Sequence, residues 1–277
     1  MNRRTLILSA IALAFAAAPA SAQRFEPTRF SVEIVGRGPD VILIPGLTSG
    51  REVWRATAAA VPGYRYHLIQ VAGFAGEPSR GNRQGAVVAP LADELARYIA
   101  ERRLVRPAIV GHSMGGTLAM MVAARRPDLV GRIMVVDMLP QPASLVGGSA
   151  QGMGSLASGI GDLLDTAGGR RLFSSFMNVF TPPDAVARRS DPEVVGRAVR
   201  ELATIDLTGQ LPRIRAPFTV VYGSPTPEAR AAIDRSFVRA YAAAPRARLV
   251  RIDGSGHMVM LDQPARFRGA LGEFLRR

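Results

Sequence analysis

The amino-acid sequence predicts an α/β fold: a mostly parallel sheet with helices on both faces, interrupted by one helical insertion. Two observations carry that reading. Short apolar runs alternate with amphipathic stretches of helical period along most of the chain, which is the rhythm of parallel strands joined by crossover helices. That rhythm stops after residue 139 and resumes near residue 212, so the segment between differs in character from the rest.

Residues 1–22 are not expected to belong to the fold. Arg3 and Arg4 form a positive start, residues 6–18 an apolar stretch, and Ala20-Ser21-Ala22 a small-residue cleavage site. The apolar stretch is short for a membrane span, so it reads as a signal peptide removed after Ala22, and the protein as exported to the periplasm or secreted. Asn2-Arg3-Arg4-Thr5-Leu6-Ile7 partly matches a twin-arginine signal, and a general secretory signal can begin the same way. Cleavage leaves 255 of the 277 residues, enough for one α/β domain with an insertion. No later run is long and apolar enough to span a membrane.

The elements follow in order. Residues 30–35 read as an early strand, and residues 40–44 as a short apolar strand halted by Pro45-Gly46. Residues 66–71 form another strand, ended by Gly73. Across residues 84–103, Val87, Val88, Leu91, Leu95, Tyr98 and Ile99 share one helical face. Residues 107–110 are a buried strand, 114–126 a helix stopped by Pro127, and 132–136 a strand. Residues 140–211 hold no convincing strand. They carry Gly-rich pieces, an apolar stripe (Leu172, Phe173, Phe176, Met177 and Phe180) and a helical stretch at 191–203. A helical cap that packs on the core and roofs a site is expected there. The rhythm resumes with a strand at 217–222, a helix at 227–244, a strand at 248–252 and a closing helix at 264–276. The core is thus expected in two parts, 23–139 and 212–277, around a cap at 140–211.

Composition removes several classes of function. With no cysteine, disulfides, thiol catalysis and Cys-based metal sites are out. No cluster has metal-ligand spacing, so neither a metal nor a cofactor is expected. The formal charge is +13, falling to +11 with the loss of Arg3 and Arg4, and every basic residue is Arg. The arginines do not gather into one block or alternate with aromatics, so no nucleic-acid groove is indicated. Scattered over solvent faces, they favour at most a loose association with an anionic envelope.

The chemistry centres on GHSMGG, residues 111–116. Gly111-His112-Ser113-Met114-Gly115 fits the G-x-S-x-G pattern between a strand and a helix. There, a sharp turn projects the serine Oγ above the sheet, and flanking glycines remove side chains that would collide. A serine nucleophile needs a base, and the chain has three histidines. His112 sits in the turn itself and should point elsewhere. His67 lies within a strand and reads as a partly buried, satisfied histidine. His257, in the Gly254-Ser255-Gly256-His257-Met258 loop after the last strand, can reach back over the sheet end to Ser113.

Three landmarks in order resemble the α/β-hydrolase fold: Ile44-Pro45-Gly46-Leu47 after an early strand, the GHSMGG turn, and Gly256-His257 followed by Gln263-Pro264. The resemblance covers nearly all of the mature chain, with residues 140–211 as the variable cap. It implies a Ser–acid–His triad in chain order and an oxyanion hole built from two backbone N–H groups, those of Met114 and Leu47. Pro45 stands where many relatives carry His-Gly-x, but the backbone donor does not depend on that side chain.

The acid departs from the pattern. Many relatives place it as G-x-x-D in the loop after the strand matching 217–222; here Gly223-Ser224-Pro225-Thr226 puts Thr at the Asp position. Asp137, at the end of the strand after the nucleophile helix, is the favoured substitute, because some relatives take their acid from that strand end. Glu228 is the second, although Thr226-Pro227-Glu228 reads as a helix start. Asp206 and Asp253 are weaker. The expected function is hydrolysis of an ester-like bond in a small apolar substrate through an acyl-enzyme. Amidase, lactonase, C–C hydrolase and perhydrolase chemistry stay open on the same turn, as does a binding protein that lost its acid. Apolar Val71 to Gly76, with Phe74, points to a hydrophobic entrance.

Overall fold

The computed structural model describes residues 25–146 and 189–277. The expected signal peptide and most of the expected cap, including its Leu172 to Phe180 stripe, lie outside the described residues.

Among the described residues, seven strands form one sheet: β1 (Phe30–Gly36), β2 (Asp40–Ile44), β3 (Arg65–Val71), β4 (Ala108–His112), β5 (Arg132–Val136), β6 (Phe218–Ser224) and β7 (Arg248–Asp253), in the order β1-β3-β2-β4-β5-β6-β7. Only β1 runs antiparallel, pairing Phe30 with Val71 through Gly36 with Arg65 on β3. The rest are parallel, so their C-terminal ends lie along one edge of the sheet. In open parallel sheets that edge carries the ligand site.

Side chains alternate between two cores, as a period of two requires. Ile42, Ile44, Ile109, Ile133 and Val135 face one core, with α2 (Val88–Glu101), α3 (Met114–Arg125) and α5 (Arg230–Ala240) packed on it. Val41, Leu43, Val110, Met134 and Val136 face the other, covered by α1 (Arg55–Ala60) and α6 (Pro264–Arg276) through Ala58, Phe267, Leu271 and Phe274. Central strands buried on both faces need continuous apolar runs, which is why β2, β4 and β5 contain them.

Among its described residues, the expected cap at 140–211 holds helix α4 (Pro192–Thr204). Asp191 caps it, accepting from the backbone N–H of Glu193 and Val194, with Pro192 in the first turn. The helix is fastened to the core. Glu201 accepts hydrogen bonds from the N–H groups of Val87, Val88 and Ala89 at 2.5, 3.1 and 3.4 Å, at the start of α2. Arg197 donates to the carbonyls of Asn82 and Arg83. The helix expected from residue 84 therefore begins at Val88, since its capping group arrives from a distant element. The helix expected over 227–244 narrows to Arg230–Ala240; at its start, Thr226 Oγ1 accepts from the Ala229 N–H and closes a separate turn first.

Phe74 corrects the expectation of a hydrophobic entrance. It is fully buried, and its loop seats α4: a Cβ on Gly73 would lie 2.9 Å from the Val194 side chain, and the Asp191 N–H donates to the Gly73 carbonyl.

Candidate active site

Ser113 lies between β4 and α3 with φ 53° and ψ −124°, a conformation costly to any residue with a Cβ. The surroundings hold it there. Its N–H donates to the Val136 carbonyl at 2.9 Å, and its own carbonyl accepts from Gly116 and Thr117. Both flanking glycines are required by space. A Cβ on Gly111 would lie 2.0 Å from the Gly115 carbonyl oxygen, and one on Gly115 would lie 2.4 Å from that of Ile44. Ser113 is fully buried, and its Oγ has no hydrogen-bond partner among the described residues.

The turn after β2 lies against this elbow. A Cβ on Gly46 would be 3.0 Å from Ser113 Cβ, so only glycine lets Pro45-Gly46-Leu47 approach so closely. The turn is closed by the Ser49 N–H donating to the Gly46 carbonyl, with Thr48 at φ 59°. Leu47 and Met114, the two expected backbone donors, are both buried beside the elbow. Met114 is the first residue of α3, where N–H groups lack an intrahelical acceptor.

Asp137 leaves the end of β5 at φ 49°. Its N–H donates to the Val221 carbonyl at 2.7 Å, and its Oδ1 accepts from the Gly223 N–H at 2.9 Å. Its Oδ2 lies 2.7 Å from His257 Nδ1. The His257 loop lies close on the end of β6: a Cβ on Gly223 would sit 2.4 Å from the Gly256 carbonyl oxygen. The Gly256 N–H donates to Asp262 at 2.9 Å, and Gln263 to the Gly254 carbonyl at 2.8 Å. The glycine of the G-x-x-D position is thus used, while Thr226 sits in an exposed turn.

Residues 41–270 match the sequence pattern of the alpha/beta hydrolase family. The chain belongs to that family. It is 25% identical over 260 residues to the sn-1-specific diacylglycerol lipase ABHD11 of Mus musculus, spanning 86% of this chain and 81% of that one. The enol-lactonase from Burkholderia xenovorans LB400 superposes with a TM-score of 0.65 at 19% identity, over 90% of this chain and 96% of the other. A thermophilic esterase from Thermogutta terrifontis gives a TM-score of 0.67 at 22% identity, over 92% and 98%. Both structures share the α/β-hydrolase fold with this chain.

The other acidic candidates lie elsewhere on this hydrolase fold. Glu228 is exposed, its carboxyl held below the usual range by its own backbone N–H and the Thr226 hydroxyl. Asp253 pairs with Arg251 and Arg230, and Asp206 accepts from Gln141 and the Thr208 N–H. His67 is buried between Tyr98, 2.7 Å from Nδ1, and Asp40, 2.8 Å from Nε2. Burial pulls its pKa below the ordinary histidine value.

Two further residues stand at the site without having been expected to take part in it. Gly223 holds Asp137 by its N–H. His112 is buried against His257, with ring centroids 4.6 Å apart, and its Nε2 is 2.9 Å from the His257 carbonyl oxygen. Burial, and then the neighbouring His257, push the His112 pKa well down. Among the described residues no helix is long and apolar enough to cross a membrane.

Proposed function

We propose that the protein is an exported serine hydrolase that cleaves an ester-like bond of a small apolar substrate through an acyl-enzyme. The observation that carries this reading is the Asp137–His257 contact of 2.7 Å, made at the sheet edge where the Ser113 elbow stands. In this reading, Asp137 accepts the His257 Nδ1–H, which fixes the tautomer that leaves Nε2 basic. Nε2 takes the Ser113 proton as Oγ attacks the substrate carbonyl. The N–H groups of Leu47 and Met114 receive the negative charge on the carbonyl oxygen. The Nε2 proton then passes to the leaving alkoxide, which departs as an alcohol. Water, deprotonated by the same nitrogen, releases the acid and restores Ser113.

The apolar residues Leu172, Phe173, Phe176, Met177 and Phe180 in the sequence of the expected cap support an apolar substrate. An ester-like bond, open or cyclic, in place of an amide is supported by the diacylglycerol lipase named among the relatives. A chain-length series of p-nitrophenyl esters, run beside an amide and a lactone, tests the bond type. The expected order is ester first, with turnover abolished in Ser113→Ala. Amide or lactone turnover above that of every ester would move the assignment to another reaction on the same site. Export rests on Arg3, Arg4 and the Ala20-Ser21-Ala22 site. N-terminal sequencing of the protein recovered outside the cytoplasm should begin at Gln23.

A further inference from the structure

His112 is 1% exposed, and its ring joins three parts of the site. Its Nε2 lies 2.9 Å from the His257 main-chain oxygen. A carbonyl can only accept, so Nε2 carries the proton and Nδ1 does not. Its ring packs on the His257 imidazole at 4.6 Å between centroids and 50° between planes. Its opposite edge meets the turn that carries Leu47: a Cβ on Gly46 would come within 2.9 Å of Nδ1 and 3.3 Å of Cε1. A side chain that only filled space would need no N–H aimed at the carbonyl of residue 257.

We propose that His112 is a positioning residue, whose Nε2–H holds the His257 main chain while its ring sets the plane of the His257 imidazole and seats the Gly46–Leu47 turn. This rests on the Ser113–Asp137–His257 reading above. Elbow, base and oxyanion turn come from three separate loops, and the His112 side chain reaches two of them from within the third. Its charge state matters to the part it plays. His257 becomes an imidazolium as it takes the serine proton, and a protonated His112 would place a second cation against it. Burial keeps His112 neutral, so the developing charge meets a ring and not a like charge.

The test compares His112→Leu with His112→Gln in the full mature chain, using p-nitrophenyl ester turnover. A displaced base costs rate and not binding. His112→Leu is therefore expected to lower kcat by about 10- to 100-fold with KM nearly unchanged. His112→Gln, whose amide can donate to the same carbonyl, is expected to recover most of that loss. Wild-type kcat in His112→Leu, or an equal loss in both variants, would overturn the proposal. Ser113→Ala is run alongside. If it turns over like the wild type, the serine reading fails; if it is dead while His112→Leu is fully active, only the His112 assignment fails. A second measurement needs no variant. In wild-type protein labelled with 15N-histidine, the His112 ring should remain the neutral Nε2–H tautomer from about pH 8 down to about pH 6. An Nδ1–H tautomer, or protonation of His112 within that range, would overturn the proposal.

Discussion

Asp137 Oδ2 and His257 Nδ1 lie 2.7 Å apart although 120 residues separate them in sequence. The carboxylate cannot readily rotate away, because its other oxygen accepts from the Gly223 N–H. Asn at 137 would be isosteric but neutral, and would offer an amide that competes for the wrong tautomer. Asp137→Asn is expected to lower ester kcat by about 10²- to 10⁴-fold, with Glu228→Gln equal to the wild type. Steady-state kinetics on the pair decide between the two acids. A dead Glu228→Gln beside an active Asp137→Asn would reverse the assignment.

Gly223 makes a second prediction. A Cβ there would sit 2.4 Å from the Gly256 carbonyl oxygen and 2.6 Å from that of Ser255. Both contacts are backbone, so no side chain can swing aside, and the loop carrying His257 must move. Gly223→Ala is expected to cost about 1–3 kcal/mol of stability and to lower kcat more than it raises KM. Urea unfolding and kinetics on one preparation measure both.

Stability should fall as the pH drops below neutrality. The His112 and His67 pKa values are both depressed in the folded protein, His112 strongly, with burial the largest cause in each. The unfolded chain then binds these protons first. Their contribution is fully present above about pH 6.5 and is lost as the pH falls through and below that value. Each group adds at most about 1.4 kcal/mol per pH unit to the slope. Urea midpoints at about pH 7.5 and about pH 5.5 measure it, and His112→Gln should show a shallower decline than the wild type. An unchanged midpoint across that interval in the wild type would contradict the account.

Glu201 supplies a cap that the N-terminus of α2 lacks locally. It accepts from three successive N–H groups, those of Val87, Val88 and Ala89. Glu201→Ala is expected to destabilise the protein by about 1–2 kcal/mol. It should also speed hydrogen exchange at these three amides first. Exchange rates identical to the wild type there would show that the contact holds nothing.

Much of this was readable in the chain, for physical reasons that differ by element. Strands β2, β4, β5 and β6 are buried on both faces, so their apolar runs stand out without any neighbour in view. Ser113 was legible because its two flanking glycines are demanded by backbone atoms within the same strand-turn-helix unit or the adjacent strand end. The preference for Asp137 over Glu228 draws its structural support from features with no local signature: where β5 and β6 end side by side, and the Gly223 N–H between them. The start of α2 was misplaced because its cap belongs to α4. Phe74 looked like an entrance because its burial under α4 has no local signature. The same holds for His112, whose contact with His257 joins residues 145 apart.

The most direct test of the central claim is labelling of the wild-type protein with a fluorophosphonate, followed by peptide mass analysis. One adduct is expected on the peptide containing Ser113, absent in Ser113→Ala and formed far more slowly in His257→Ala. No adduct at Ser113, or an adduct on another residue in a protein that still hydrolyses the ester, would contradict it.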